Sequence, residues 1–381
     1  MENSLSNKIS SAAFAFRGYN VTNHGKSPEL LAHPAYGSIL EGFLKQAGEI
    51  CADATGKAVD LVECVRSRRP TSLDTYAEDI SMIVAVELGH LLMLEEFFGI
   101  RYEDAQVTAG YSLGEISALI AGDVFNMEAM LMPILTLADD IAALAHDAKM
   151  GVVFSRGPEI DFAEVKRLCL RITSEAQGTI GISTYLSPNT FLIVGQGNTI
   201  ERFKEIMHET LPKECHLRKN PHRWPPMHTP ISRQKSIPNR AAVIMEKTPG
   251  GFSAPDPPIL SCVTGDTSYN DLNSRDLLSR WSDHPQLLWN VVDKILACGV
   301  ETVIHVGPEP NIFPATFSRL SNNIEAQLNG TSLASIGLRA VSRLVRRPWL
   351  TRLISSDATL LRAPFVEHVI LEDWLLEQQF D

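Results

Sequence analysis

Five residues, Gly110-Tyr111-Ser112-Leu113-Gly114, constrain this chain more than any other segment. The compact run Ala105-Gln106-Val107-Thr108-Ala109 precedes them, and small and apolar residues from Ile116 to Ala121 follow. This pattern predicts a strand that ends in a sharp turn and enters a helix. Glycines on both sides of the serine remove side chains that would clash in so tight a bend. A strand feeding straight into a helix is the building block of a parallel sheet, because parallel neighbours need a crossover that a helix supplies. The chain is therefore expected to be α/β.

The rest of the pattern agrees. Ala13-Phe14-Ala15-Phe16 reads as a short buried strand, broken by Arg17-Gly18-Tyr19-Asn20. Helices follow from Leu30 to Arg66 and from Asp79 to Phe98. Pro258 to Val263 reads as a strand, Leu287 to Cys298 as a helix, and Thr302 to Val306 as a strand ending at Gly307-Pro308. Between these, from Gly151, the texture changes. Strands at 151–154, 180–185 and 189–195 alternate with helices at 162–173 and 200–211. That β-α-β-β-α order is most of a ferredoxin-like unit. We assign 12–148 and 214–325 to the α/β core, 149–213 to an inserted ferredoxin-like subdomain, and 326–381 to a C-terminal extension. A cleft between the two lobes is expected.

Composition excludes several classes. With 44% hydrophobic and 21% charged residues, the chain has enough apolar material for a packed core. A formal net charge of −11 gives no general affinity for nucleic acid, whose phosphates demand a basic face. The most apolar stretch, Ile80 to Ile100, carries Glu87, His90, Glu95 and Glu96 and reads as a buried helix, not a membrane span. Met1 to Ser11 is polar and unlike a signal peptide, so a cytoplasmic location is expected. The six cysteines are scattered, without the close pairs of a zinc or redox site. No metal is expected.

Ser112 in the turn is the candidate nucleophile, and Leu113, at a helix start, offers a backbone N–H to an oxyanion. A serine hydroxyl needs a base. His90 lies in an apolar helix, His146, His208 and His368 read as solvated helix positions, and His216 and His222 sit in a basic loop. His228 differs, because Pro225, Pro226 and Pro230 rigidify the segment that presents it.

Taken together, Gly110-Tyr111-Ser112-Leu113-Gly114-Glu115, the inserted ferredoxin-like unit, Met227-His228-Thr229-Pro230 and Val306-Gly307-Pro308 resemble the malonyl-CoA:acyl-carrier-protein transacylase family, from about Phe14 to Leu320. The resemblance implies an α/β-hydrolase-like large subdomain and a ping-pong acyl transfer. Ser112 would carry the acyl group, and His228 would act as base. The partners would be an acyl-CoA and a phosphopantetheinylated acyl carrier protein, with the coenzyme A thioester a substrate and no cofactor permanently bound. The family's second oxyanion donor is a backbone amide in an F-P-G-Q-G loop, matched here by Phe16-Arg17-Gly18-Tyr19-Asn20, which assigns that role to Tyr19.

Departures from the family shape the specificity. Malonyl-transferring members place an arginine in a helix after the nucleophile, yet no lysine or arginine occurs between Arg101 and Lys149. The corresponding stretch, Leu135-Thr136-Leu137-Ala138-Asp139-Asp140, makes Leu137 and Asp140, with Tyr111, the candidates for the acyl pocket. An uncharged acyl group is expected in place of malonyl, with a cationic aminoacyl group as the alternative if an aspartate lines the pocket. The family's glutamine ahead of its P-V-x-W segment has no clear counterpart in Arg280-Trp281-Ser282-Asp283-His284-Pro285. Thr331 to Leu353 carries Arg339, Arg343, Arg346, Arg347 and Arg352 without an acidic residue, a helix that either packs on the core or steers an acidic carrier protein. Val366 to Phe380 reads as an acidic amphipathic strand or helix, a packing partner for that stretch. Two other functions use the same fold: an acyl-thioester hydrolase and a non-catalytic carrier-binding partner.

Overall fold

The computed structural model describes residues 5–328 and 358–380. Among the described residues ten strands form two sheets. Strands β1 (Ala12–Phe16), β2 (Val107–Gly110), β7 (Ile259–Ser261), β8 (Asp266–Thr267), β9 (Thr302–Val306) and β10 (Glu367–Ile370) build a six-stranded sheet. Its order is β10-β9-β1-β2-β7-β8, and every pairing is parallel except β7 with β8. The expected α/β core is thus present. Strand β1 sits in the middle, and every one of its residues is buried. Phe14 and Phe16 face the cluster formed with the helices Gly37–Thr55 and Tyr76–Phe98. Ala13 and Ala15 face the cluster of Leu288–Ala297 and Ile312–Leu328. Both faces are covered by helices, which is why β1 shows no hydrophobic alternation.

Strands β3 (Ala148–Ser155), β4 (Ile180–Ser187), β5 (Thr190–Gln196) and β6 (Cys215–Lys219) form a four-stranded antiparallel sheet in the order β4-β5-β3-β6. With the helices Phe162–Ser174 and Thr199–Ile206 this is a complete ferredoxin-like β-α-β-β-α-β unit. Its fourth strand, β6, lies beyond residue 213. The sequence hides it because Cys215-His216-Leu217-Arg218-Lys219 is an edge strand with one buried residue.

The C-terminal stretch is not an appendage. Strand β10 pairs with β9 and closes the edge of the large sheet, and the helix Leu371–Glu377 packs against Ser27–Ala32. Leu371 and Leu375 are fully buried there. Residues 358–380 therefore help to complete the core. The arginine-rich stretch, residues 331–353, lies outside the described residues, as does its expected docking role. The six cysteines are all unpaired, and only Cys298 is more than slightly exposed. No described helix is long and apolar enough to cross a membrane.

Candidate active site

The serine turn forms as its residues require. Strand β2 ends at Gly110, the helix Leu113–Ala121 begins two residues after Tyr111, and Ser112 between them has φ 55° and ψ −114°. That left-handed conformation is costly for a residue with a Cβ and persists only where the surroundings hold it. A Cβ on Gly110 would lie 2.1 Å from the carbonyl carbon of Gly114. One on Gly114 would lie 2.5 Å from the carbonyl oxygens of Phe16 and Arg17. Both glycines are therefore demanded by backbone contact. Gly114→Ala is expected to cost about 3 kcal/mol or more, since backbone cannot move aside as a side chain can. A melting temperature within 2 °C of the parent would contradict this.

His228 arrives from a distant loop, yet its Nε2 lies 2.6 Å from Ser112 Oγ. Its own backbone is left-handed, with φ 63°. Its N–H donates to the Ser282 carbonyl at 2.8 Å, and Thr229 Oγ1 donates to the Pro226 carbonyl at 2.7 Å, which closes the loop on itself. Nδ1 lies 2.6 Å from the Trp281 carbonyl, an acceptor only, so the proton sits on Nδ1 and Nε2 is free to accept from serine. The residue is 4% exposed. Burial disfavours the imidazolium and pushes its pKa down to about 4, with the Trp281 carbonyl pulling the other way. Among the described residues no acidic group contacts the ring; a peptide carbonyl takes the orienting place.

Two residues that sequence reading did not single out complete the arrangement. Trp281 gives that carbonyl, sets its ring edge-on to His228 at 4.9 Å between centroids, and donates from Nε1 to the Ser112 carbonyl at 3.1 Å. The imidazole is thus oriented by a backbone carbonyl, whatever the side chain at that position. Gln286 accepts the Ser112 N–H at 3.1 Å through Oε1, and its Nε2 lies 3.2 Å from His228 Nδ1. Its backbone bonds to Ser183 and Tyr185 of β4, which ties the small sheet to the catalytic pair. Nothing local in the sequence marks either residue, since both act across more than 50 positions of chain. Glu115, next to the turn, is fully buried and accepts from the Cys262 N–H at 3.1 Å and the Tyr269 hydroxyl at 2.7 Å, anchoring the helix to the end of β7.

The pair opens into a cleft of about 290 Å³ between the two sheets. Tyr19, Tyr111, Leu113, Ile134, Met227 and Trp281 line it from the large lobe, and Met150, Val152 and Leu192 from the small one. Tyr111, one of the expected pocket residues, lines the cleft and meets Thr184 Oγ1 through its hydroxyl at 2.8 Å. Leu137 and Asp140 do not. The stretch breaks between the helices Met127–Thr136 and Ala138–Ala145. Leu137 is turned into a small apolar cavity behind Ile134, Met227 and Trp281. Asp140 points to the surface, bonded to Arg240 and 3.5 Å from Lys235, while Asp139 pairs with Lys57 at 3.0 Å. The acidic pair already has cationic partners outside the cleft, which removes the basis for a cationic acyl group. No Lys, Arg, Asp or Glu is among the described residues lining the cleft. No group of three or more potential metal ligands occurs among the described residues.

This architecture is the fold of the malonyl-CoA:acyl carrier protein transacylases. The FabD protein of Acinetobacter baumannii superposes with a TM-score of 0.65 at 17% identity, covering 81% of this chain and 90% of that one. MCAT from Streptococcus pneumoniae gives 0.63 at 19% identity, with 80% and 91% covered. A malonyl-transacylase solved in complex with its type II PKS acyl-carrier protein gives 0.61 at 19% identity, with 80% and 91% covered. No protein-family model and no curated protein matches the sequence.

Proposed function

We propose that the chain is an acyltransferase that moves an uncharged acyl group from coenzyme A to an acyl carrier protein through an ester on Ser112. The observation that carries this reading is the 2.6 Å contact between Ser112 Oγ and a correctly tautomeric His228 inside a cleft of the transacylase fold. In the first half-reaction Ser112 Oγ attacks the thioester carbon while its proton passes to His228 Nε2. The C–S bond then breaks, and the imidazolium returns the proton to the departing thiolate of coenzyme A. In the second, the carrier's phosphopantetheine thiol gives its proton to His228 and attacks the ester, and the serine hydroxyl is restored. The N–H groups of Leu113, at the start of a helix, and of Tyr19 are the donors assigned to the tetrahedral oxyanion.

The carrier partner is supported by the fold shared with a transacylase bound to its carrier. A groove of about 540 Å³, rimmed by Arg218, Lys219 and Arg319, runs on from the cleft through Val152 and Asn220 and suits a phosphate-bearing arm. A cytoplasmic location, where coenzyme A thioesters and carriers meet, belongs to the same proposal. The experiment is incubation with a panel of acyl-CoAs and acyl carrier proteins, followed by intact mass. A lasting adduct passed on to the carrier supports transfer; free acid without carrier loading identifies a hydrolase, and no turnover a binding partner.

The buried base makes a further prediction. A histidine with its pKa held near 4 stays neutral, and competent, well below the ordinary value of about 6.5. The rate of Ser112 acylation is expected to stay level from pH 8 to about 5 and to fall only below that. An acidic limb at 6.5 or higher in single-turnover measurements would count against it.

A further inference from the structure

Beneath the Gly18–Tyr19 turn lies a buried arginine that the reaction as described does not use. Arg17 is 1% exposed, and its guanidinium is saturated with acceptors. Nη1 donates to the Pro308 carbonyl, Nη2 donates to Asn23 Oδ1 at 2.7 Å, and both reach the Thr22 carbonyl at 3.4–3.5 Å. The remaining donor, Nε, bonds the Gly18 carbonyl at 2.7 Å. Asn23 Oδ1 also accepts the Asn20 N–H at 2.9 Å, and Asn23 Nδ2 donates to the Asn20 carbonyl at 2.7 Å, so the whole 18–20 turn is clamped from below. Glu87, Glu309 and Glu372 surround the cation and offset part of its burial. Glu372 comes from the C-terminal helix and accepts the N–H groups of Lys26 and Glu309, which ties residues 358–380 to the same cluster.

The Gly18 carbonyl and the Tyr19 N–H belong to one planar trans peptide, so they point in opposite directions. With the carbonyl turned down onto Arg17 Nε, the N–H is turned away from Arg17. Tyr19 and Ser112 both line the cleft, and a Cβ on Gly18 would come within 3.4 Å of Ser112 Cβ, so this turn abuts the nucleophile. The Tyr19 N–H bonds to nothing among the described residues. We propose that Arg17 is a positioning residue that locks the Gly18–Tyr19 peptide in the orientation an oxyanion donor requires. The family pattern has proline at this position, where ring geometry shapes the turn; here a side-chain hydrogen bond does so. The inference rests on the serine-enzyme reading above, and its test separates the two.

Arg17→Lys keeps the charge opposite the glutamates but removes the donor at the Nε position, so the Gly18 carbonyl loses its lock. The test measures the melting temperature, the rate of Ser112 labelling by a fluorophosphonate, and the single-turnover rate and half-saturation of acylation by acetyl-CoA. Losing one oxyanion donor is expected to slow labelling and acylation by about 10²–10³-fold, with half-saturation within threefold of the parent. Rates within threefold of the parent in a folded variant overturn the proposal. So does a loss carried entirely by half-saturation, which signals binding and not transition-state stabilisation. If Arg17→Lys does not fold, Asn23→Ala, which loosens Nη2 and leaves Nε in place, decides by the same criteria with an expected loss of about tenfold. If the parent takes the fluorophosphonate but no acyl group, the acyltransferase reading fails and the labelling rates alone judge Arg17. A parent that Ser112 labelling does not touch overturns both.

Discussion

Ser112→Ala is expected to abolish the covalent acyl adduct and to lower transfer to the carrier by about 10⁴-fold or more, the loss seen when a serine nucleophile is removed from a serine–histidine site. The fold should survive. The Ser112 N–H bond to Gln286 and the Trp281 bond to its carbonyl are backbone contacts that alanine keeps. Intact mass after incubation with acetyl-CoA reads the adduct, and circular dichroism melting reads the fold. The variant separates nucleophilic catalysis from mere carrier binding, because a scaffold would lose nothing. Full loading of Ser112→Ala would remove the acyl-enzyme from the mechanism.

Saturated acyl groups such as acetyl are expected to load with kcat/KM about 10³-fold above malonyl. A malonyl group would bring a carboxylate into a cleft whose described lining holds no cation. An unpaired buried charge costs several kcal/mol, and about 4 kcal/mol is three orders of magnitude. The prediction is sharp because the solved relatives of the same fold carry malonyl in their names. Ile134, which lines the cleft from the end of the Met127–Thr136 helix, offers the complementary test. Ile134→Arg is expected to raise malonyl loading about tenfold or more by supplying a bidentate partner. Equal loading of acetyl and malonyl by the parent would overturn the specificity argument.

Local chemistry is legible in the sequence; chemistry assembled across distant segments is not. Gly110 and Ser112 announce their turn through local sterics, since a Cβ on Gly110 would meet the backbone of Gly114 and Glu115, whereas the demand for Gly114 comes from the distant carbonyls of Phe16 and Arg17. Strands β1, β2 and β9 were visible as short apolar runs, being buried on both faces. Strand β6 is hard to see in sequence because an edge strand needs little apolar surface, and the sequence leaves 366–380 open between strand and helix because the pairing partner of β10 lies more than 60 residues earlier. Leu137 and Asp140 were assigned to the pocket on the assumption of a single helix, and a break between two helices turned them away.

Taken by itself, the amino-acid order determined the α/β class, the inserted small lobe, the strained serine and the proline-framed histidine. Each depends on residues near one another in the chain, whose sterics and periodicity act before any long-range contact forms. Only the folded chain decided that the imidazole is oriented by the Trp281 carbonyl, that Gln286 steadies the serine, that Arg17 lies beneath the Gly18 carbonyl, and that no Lys, Arg, Asp or Glu lines the cleft among the described residues. Those are matters of which way a carbonyl or a side chain points once distant segments pack, and backbone carbonyls, present at every residue, leave no trace in a sequence.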